Sequence, residues 1–185
     1  MVDVGRRLSG GAAGTLSRQI EAAEAFTATG PFGLAVLGAS IHWFDLPAVC
    51  TRLNTVLREG APLAVCDRSA TCAGLDRLTK VIRRYSRAPD HDPSYRVAAD
   101  LEERHLWHAN GVHATAPIPF RQSVDDFIQN LHSTATLARE LMDPDEAASF
   151  DREIHEILSP LADPGGVLVL SLTSTITWGI LTPNR

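Results

Sequence analysis

The stretch "PFGLAVLGASIHWFDLPAVCTRLNTVLREGAPLAVCDR", residues 31–68, decides the fold class of this chain of 185 residues. Residues 33–39 are a continuous apolar run bounded by Gly and Pro, which predicts a strand that is buried on both faces. Residues 61–67, "APLAVCD", predict a second buried strand. The question is how the chain connects these two strands.

The segment between the two strands has the signals of a helix. Asp45 is a plausible N-cap and Pro47 stands in the first turn. Apolar side chains then recur on one side as far as about Arg58, and Gly60 ends the pattern. A strand, a helix and a strand in this order form a βαβ unit, so we predict an α/β fold with adjacent parallel strands.

The remaining segments predict one domain over residues 1–185, with a poorly structured lead-in at about 1–18. Composition favours a helix at 15–26, but a short strand near 19–22 followed by a loop is the alternative. The other predicted elements are a basic helix at 75–87, a polar loop at 90–93, a helix at 95–110, an extended segment at 112–120, a helical pair at about 122–161 and a long strand at 165–179. The first helix of the pair begins at Ser123. The second begins at Asp143-Pro144, with Glu146 in a capping box.

Composition restricts the partners and the location of the chain. The hydrophobic fraction of 44% and the charged fraction of 21% are ordinary for a globular protein. A net charge of −5 gives no electrostatic case for nucleic acid or for an anionic membrane as a partner. The three Cys show no paired spacing, and no apolar run is long enough for a signal peptide or a membrane span. We therefore expect a soluble, cytoplasmic protein with reduced thiols.

Two groups of residues resemble one protein family. "PFGLAVLGASIHWFD" followed by "VCTRLNTVLREGAPLAVCD" resembles the fourth strand, the His-Trp turn, the helix and the fifth strand of class I S-adenosylmethionine-dependent methyltransferases, in particular the group called methyltransferase type 11. "FRQSVDDFIQNLHST" and a final strand ending in "TSTITWG" resemble the tail of the same family. The likeness spans about residues 19–180. It implies a Rossmann-like sheet with a helical insertion before the last strand, and methyl transfer from S-adenosylmethionine to a small-molecule acceptor.

The resemblance also implies a set of residues around the cofactor. Glu24 stands where the family has an acidic residue near the adenine, and Gly38, Ala39 and Ser40 form the small-residue turn after the strand. Trp43 would face the sulfonium through its π cloud. These five residues are the expected cofactor contacts, and no metal is expected.

His42 is the expected catalytic residue, because it would orient the methyl acceptor or act as a base. Methyl transfer from a sulfonium needs mainly orientation and exclusion of water, so no residue triad is required. The alternative is that His42 and Trp43 are packing residues that hold the turn.

The chain departs from the family at its beginning. The family binds its cofactor chiefly through a first strand and a Gly-rich turn, whereas only about 30 residues precede the fourth-strand candidate here. The sheet is therefore expected to lack its first strands, as in an N-terminally truncated methyltransferase. Residues 33–39 would then form an unpaired apolar edge. The alternative function is an inactive remnant or fragment that acts as an interaction module, with a homodimer formed through this edge.

Other motifs have weaker functional interpretations. Glu102 and His105 have the Glu-x-x-His spacing of helical metal sites, but one copy is better explained as a solvated helix face. Ser123 with Asp125, Asp126 and His132 suggests a hydrolase, although no nucleophile elbow accompanies it and Ser123 is explained as a cap. Three arginines of the basic helix are most simply a solvated face: Arg83, Arg84 and Arg87. Trp178, which closes the last strand, is assigned to the core or to the wall of the active site.

Overall fold

A computed structural model describes residues 2–8, 14–38, 44–88 and 95–183. In these residues the elements follow one another as α1 (Val2–Arg7), β1 (Ala35–Gly38), α2 (Leu46–Val56), β2 (Pro62–Thr71), α3 (Leu75–Tyr85), α4 (Val97–Glu103), β3 (Trp107–Ala114), β4 (Ile118–Ser123), α5 (Val124–His132), a 3-10 turn (Arg139–Leu141), α6 (Pro144–Leu158), a second 3-10 turn (Ser159–Leu161) and β5 (Val167–Leu181). The fold is α/β, as predicted.

The five described strands form one sheet. The order is β1-β2-β5-β3, and β4 also pairs with β5. β1 and β2 run parallel, with Ala35 opposite Leu63 and Gly38 opposite Cys66, which confirms the predicted parallel pair around α2. β4 and β5 are antiparallel, and α5 and α6 precede β5 as the predicted helical pair.

The described chain divides into two compact units. Unit 1 comprises Met1–Cys66, Val97–Val112 and Thr177–Arg185, and unit 2 comprises Asp67–Arg96 and His113–Ile176. The single domain over residues 1–185 stays a prediction. In the ranges that the structure describes, no helix combines the length and the apolar character needed to cross a bilayer.

Each unit has its own hydrophobic core. In unit 1 the apolar side of α2 packs with β1, β2 and α4 around Leu63, Val65 and Leu101, whose exposed fractions are 1% or less. In unit 2 the core is formed by α3, α5, α6 and the first part of β5 around Phe150, which is fully buried. Burial of these side chains is the main stabilising contribution in each unit.

Helix caps form where local sequence predicts them. The Asp45 carboxylate accepts a hydrogen bond from the Ala48 backbone N–H (3.1 Å) at the start of α2. At the start of α6, Asp143 and Glu146 form the predicted capping box. Because a cap involves residues only three positions apart, neighbouring sequence is sufficient to specify it.

The prediction that residues 33–39 are buried on both faces is wrong. β1 is four residues long, and Ala35 and Leu37 pack into the core of unit 1, while the side chains of Leu34 and Val36 are 53% and 55% exposed. Side chains alternate along a strand, and the core of unit 1 lies on the Ala35 side only. A continuous apolar run therefore does not distinguish burial on one face from burial on two.

The lengths of two helices were also predicted wrongly. The helix predicted at 95–110 ends at Glu103, and β3 begins at Trp107, where the Leu106 carbonyl accepts a hydrogen bond from Thr182 N–H (2.9 Å). The first helix of the predicted pair, for which the sequence pattern extends over 124–142, ends at His132 as α5, because the hydroxyls of Ser133 and Thr134 donate to backbone carbonyls of the preceding turn. Backbone pairing with a distant segment ends the first helical pattern, and hydrogen bonds from side-chain hydroxyls to the backbone end the second.

Residues 15–26 form neither the helix nor the strand predicted for them, but turns and irregular backbone. The Arg52 side chain of α2 provides hydrogen bonds to the carbonyl groups of this segment and of the residues that follow it. Its guanidinium donates to the carbonyls of Phe26 (2.8 Å) and Ala28 (3.2 Å) and lies over the Phe26 ring. The predicted polar loop at 90–93 lies outside the described residues.

Candidate functional site

Open α/β sheets bind their ligands outside the carboxyl ends of their strands, and β1 is one strand of the parallel β1–β2 pair of this sheet. β1 ends at Gly38, and the chain is described again from Phe44, one residue before the α2 cap. The sequence prediction placed Ala39, Ser40, His42 and Trp43 between these points, and all four lie outside the described residues. Their roles stay predictions.

Glu24 reaches this end of β1 from the loop that precedes the strand. Its Oε1 accepts a hydrogen bond from the Asp45 backbone N–H at 3.0 Å, and the side chain is half-buried. The other carboxylate oxygen, Oε2, forms no hydrogen bond with any residue that the structure describes. The carboxylate therefore stands next to the residues that lead into α2, with one oxygen able to accept a further hydrogen bond.

Two interactions hold the loop that carries Glu24. The Arg52 contacts described above fix its far side against α2. Glu21 closes the loop by accepting hydrogen bonds from the Thr27 hydroxyl (2.6 Å) and the Thr27 backbone N–H (2.7 Å), and these bonds lower the pKa of the Glu21 carboxyl. Glu24 is thus positioned by a loop that side-chain hydrogen bonds hold in place, although it is 21 residues from Asp45 in sequence.

Gly38 is the last residue of β1 and the last described residue before residues 39–43. A Cβ built on Gly38 would meet no described atom within 4 Å, and its φ is not in the left-handed region. Neither its backbone conformation nor a described neighbour therefore requires glycine here. In sequence, residues 39–43 separate Gly38 from Phe44 and from Asp45, whose backbone N–H donates to Glu24.

The other sequence candidates have local structural roles. Within the described ranges no group of three or more His, Cys, Asp and Glu side chains is arranged to hold a metal, and Glu102 instead accepts from the Ala109 backbone N–H (3.0 Å). Ser123 caps α5 by accepting from Asp126 N–H at 3.0 Å. His132 is turned into the core of unit 2, where its ring contacts Leu137 and Asp151, so a Ser-His catalytic pair is not formed.

Two of the three arginines predicted to form a solvated face are engaged by α6. Arg84 pairs with Glu153 and Arg87 pairs with Glu146. In unit 1, Trp178 is 37% exposed and lies over Gly111, where an added Cβ would be 2.4 Å from the Trp178 ring. Trp178 therefore belongs to a half-exposed wall of unit 1 rather than to its buried core.

Sequence reasoning missed the cavities of the described residues, of which two bear on function. The larger, about 600 Å³, lies at the amino end of β2, where Arg58, Glu59 and Gly60 line it with the end of β5. This is opposite to the carboxyl ends at which α/β sheets bind ligands, so we assign the candidate cofactor site to the end of β1. The smaller, about 160 Å³, lies under α5 in unit 2 and contains Arg68, Gln122 and Asn130. These three residues are on separate elements, and no sequence motif connects them.

Comparison with known proteins gives a fold but no family. No protein-family model matches the chain, and no curated protein matches it either. Among solved structures, a candidate methyltransferase from Bacillus halodurans C-125 matches with a TM-score of 0.56 and 16% identity, over 99% of this chain and 79% of that chain.

Two further solved structures are less similar. A candidate type II methyltransferase from Anaeromyxobacter dehalogenans has a TM-score of 0.46 and 22% identity, over 82% of this chain and 65% of that chain. The YcgJ protein from Bacillus subtilis has a TM-score of 0.47 and 14% identity, over 90% and 71%. Of these three structures, the first alone has a TM-score above 0.5. It shows that the chain has an α/β fold shared with a candidate methyltransferase.

Proposed function

We propose that this chain binds S-adenosylmethionine at the carboxyl end of β1 and transfers its methyl group to a small-molecule acceptor. The observation that carries the proposal is the Glu24 carboxylate, which accepts a hydrogen bond from the Asp45 backbone N–H at the start of α2, shortly after residues 39–43 in the sequence. It stands in a fold shared with a candidate methyltransferase and at the end of the sheet where such folds bind ligands. The S-adenosylmethionine family and its type 11 group are inferred from the sequence motifs around this turn.

The described residues fit the cofactor in two respects. Glu24 Oε2 is able to accept a hydrogen bond from an adenine amino group or a ribose hydroxyl. No described atom lies within 4 Å of a Cβ built on Gly38, so no described side chain would obstruct a ligand that approaches this backbone. When bound, the cofactor supplies a methyl group on a sulfonium, a good leaving group. The chain's own residues then orient the reactants and exclude water.

The roles of the turn residues are part of the proposal. Ala39 and Ser40 keep the turn small, Trp43 faces the cationic sulfur, and His42 orients the acceptor. We expect Trp43→Ala to weaken binding of S-adenosylhomocysteine while the melting temperature of the free chain stays unchanged. If affinity is unchanged and stability collapses, Trp43 is a packing residue.

The experiment that tests the proposal is a calorimetric titration with S-adenosylhomocysteine, with circular dichroism to verify that each variant is folded. We expect saturable binding, and a thermal stabilisation equivalent to about 2.7 kcal/mol at a hundredfold excess over Kd. Glu24→Ala should weaken binding roughly tenfold or more, because a charge-assisted hydrogen bond is lost. Glu21→Gln is the matched control, since Glu21 lies in the same loop but bonds only Thr27 among the described residues.

Different outcomes of this titration test the proposed function and the proposed binding site. A folded wild-type chain that does not bind S-adenosylhomocysteine contradicts the function. Equal affinity in the wild type and in Glu24→Ala contradicts the site while leaving cofactor binding in place. A loss in Glu21→Gln as large as in Glu24→Ala would mean that the fold of the loop, and not the Glu24 carboxylate, determines binding.

An interaction module is the second candidate, and we base it on the edge of β1. Among the described strands β1 pairs only with β2, and Leu34 and Val36 beside this edge are exposed. This candidate predicts a homodimer in light scattering that persists at low micromolar concentration and dissociates in Val36→Lys. A monomer at all concentrations contradicts it.

Three further proposals accompany the leading function. A cytoplasmic location is supported by Cys50, Cys66 and Cys72, none of which forms a disulfide. The acceptor is a small molecule rather than nucleic acid, which agrees with the net charge of −5. The N-terminal truncation stays a prediction, and an upstream reading frame that encodes an apolar strand and a Gly-rich turn would support it.

A further inference from the structure

The cavity under α5, here called the α5 pocket, is a second candidate binding site. It has a volume of about 160 Å³ and lies in unit 2. Its apolar wall includes Phe120 of β4, Leu170 of β5 and Phe127 of α5. Its polar groups are the side chains of Arg68, Gln122 and Asn130, on β2, β4 and α5. A small apolar cavity in which a few polar groups converge is the usual form of a small-molecule site.

The elements bring these side chains together by regular geometry. Phe120 is directly opposite Leu170 in the antiparallel β4–β5 ladder, so both side chains lie on the same face of the sheet. Gln122 is two residues after Phe120 and shares that face. On α5, Phe127 and Asn130 are three residues apart and lie on one side of the helix. The pocket therefore follows from the register of the sheet.

The polar groups of the α5 pocket are distinguished by what they do not contact. In the part of the chain that the structure describes, Arg68, Gln122 and Asn130 make no side-chain hydrogen bond or ion pair. Four of the other arginines of unit 2 are paired with carboxylates, namely Arg84, Arg87, Arg121 and Arg139. The residues lining the pocket carry one positive charge, from Arg68, and no negative charge. The pocket is thus complementary to a small anion.

Size and charge together define the class of ligand. A cavity of about 150 Å³ is large enough for a benzene ring. A guanidinium forms two parallel hydrogen bonds with a carboxylate, and the amide NH₂ groups of Gln122 and Asn130 are further donors. We propose that the α5 pocket binds a small monocarboxylate with a one-ring or branched apolar body. This proposal does not depend on methyl transfer.

The test is an NMR titration of the ¹⁵N-labelled full chain with sodium benzoate. We expect saturable shifts of the side-chain signals of Arg68, Gln122 and Asn130, with a Kd of about a millimolar for so small a ligand. Arg68→Gln should weaken binding roughly tenfold or more, because it removes the charge but keeps a side chain of similar length. Arg83→Gln is the matched control, since Arg83 is an exposed arginine of unit 2 outside the pocket. The neutral analogue benzamide should bind less tightly than benzoate by a similar factor.

Each contrary result overturns the proposal. Absence of saturation at about 20 mM benzoate in the folded wild type would show that the pocket is not a carboxylate site. Equal affinity of the wild type and Arg68→Gln for benzoate would show that the positive charge of Arg68 does not contribute to binding. Equal affinity of the wild type for benzoate and benzamide would show the same for the negative charge of the ligand. Shifts confined to the cavity around Arg58 and Glu59 would place binding at the other cavity. A Leu170→Trp variant that binds benzoate as the wild type does would show that the ligand lies outside the pocket.

Discussion

Loss of the Asp151 carboxylate should destabilise unit 2 through His132. The His132 side chain is 4% exposed, and its Nδ1 lies 2.8 Å from the Leu137 carbonyl oxygen, which only accepts hydrogen bonds. Its Nε2 lies 2.7 Å from Asp151 Oδ1, and Asp151 Oδ2 also accepts from Arg139 at 2.9 Å. The ring stacks edge-on against Phe150 at the centre of the core. Asp151→Ala therefore leaves a buried ring nitrogen without a partner.

The magnitude follows from these contacts. An unsatisfied buried partner of a charged group costs roughly 1.5–3 kcal/mol. The Arg139–Asp151 pair adds about 1 kcal/mol or less, because the Arg139 side chain is 43% exposed and screened by solvent. Together the free energy of unfolding should fall by about 1.5–4 kcal/mol in Asp151→Ala.

The effect should depend on pH in a defined direction. Burial raises the pKa of the Asp151 carboxyl, but the hydrogen bonds from His132 and Arg139 outweigh it and hold the pKa below its usual range. The ionised carboxylate therefore stabilises the folded state above the ordinary carboxyl pKa of about 3.9, and this contribution is lost as the pH falls through the lower, folded-state pKa. The difference between wild type and variant should therefore shrink as the pH falls through this acid range.

The assay is urea unfolding of the wild type, Asp151→Ala and Asp151→Asn at neutral pH and at several acid pH values. Glu156→Ala is the control, because Glu156 is an exposed acid of the same helix and should change stability by less than about 0.5 kcal/mol. If Asp151→Ala is as stable as the wild type at neutral pH, or if the difference persists unchanged into acid, the assigned role of the carboxylate is wrong.

Three further predictions concern unit 1. Gly179→Ala should lower the free energy of unfolding by more than about 3 kcal/mol, because the added Cβ would lie 2.1 Å from Trp107 Nε1. Gly33→Ala is the matched control in thermal unfolding, since its Cβ would meet no described atom within 4 Å. Asp45→Ala should cost about 0.5–2 kcal/mol through loss of the α2 cap, measured by urea unfolding; an unchanged midpoint would contradict the cap. Burial raises the pKa of the Cys50 thiol to about 11, so at pH 8 only about a thousandth of the Cys50 side chains are thiolates. Cys50 should therefore resist alkylation by iodoacetamide in the folded chain, and rapid alkylation without unfolding would contradict its burial.

The sequence predicted the parts of the fold that depend on neighbouring residues. The caps at Asp45, Ser123 and Asp143 were identified because capping residues and the N–H groups that they accept from lie within one turn. The parallel β1–β2 pair followed from the βαβ pattern, since parallel strands require a crossover of this kind. These predictions needed no knowledge of distant contacts.

Distant contacts determined what the sequence did not show. Trp107 begins β3 rather than continuing a helix, and it packs against Gly179 of β5, 72 positions later in the chain. The exposed face of Val36 depends on which elements cover β1, and hydrophobicity alone does not specify this.

The candidate site was partly accessible to sequence reasoning. The family resemblance pointed to Glu24, but only the structure places its carboxylate on the Asp45 backbone. The convergence of Arg68 and Asn130 in the α5 pocket had no sequence signal, because the residues come from two elements joined only by packing.

The central claim is that S-adenosylmethionine binds at the carboxyl end of β1. A crystal structure of the chain with S-adenosylhomocysteine tests it most directly. The account predicts ligand density beside Gly38, with a hydrogen bond from the adenosine moiety to Glu24 Oε2 and the turn at residues 39–43 against the ligand. Density at the cavity around Arg58 and Glu59, or a ligand that does not touch Glu24, would contradict the account.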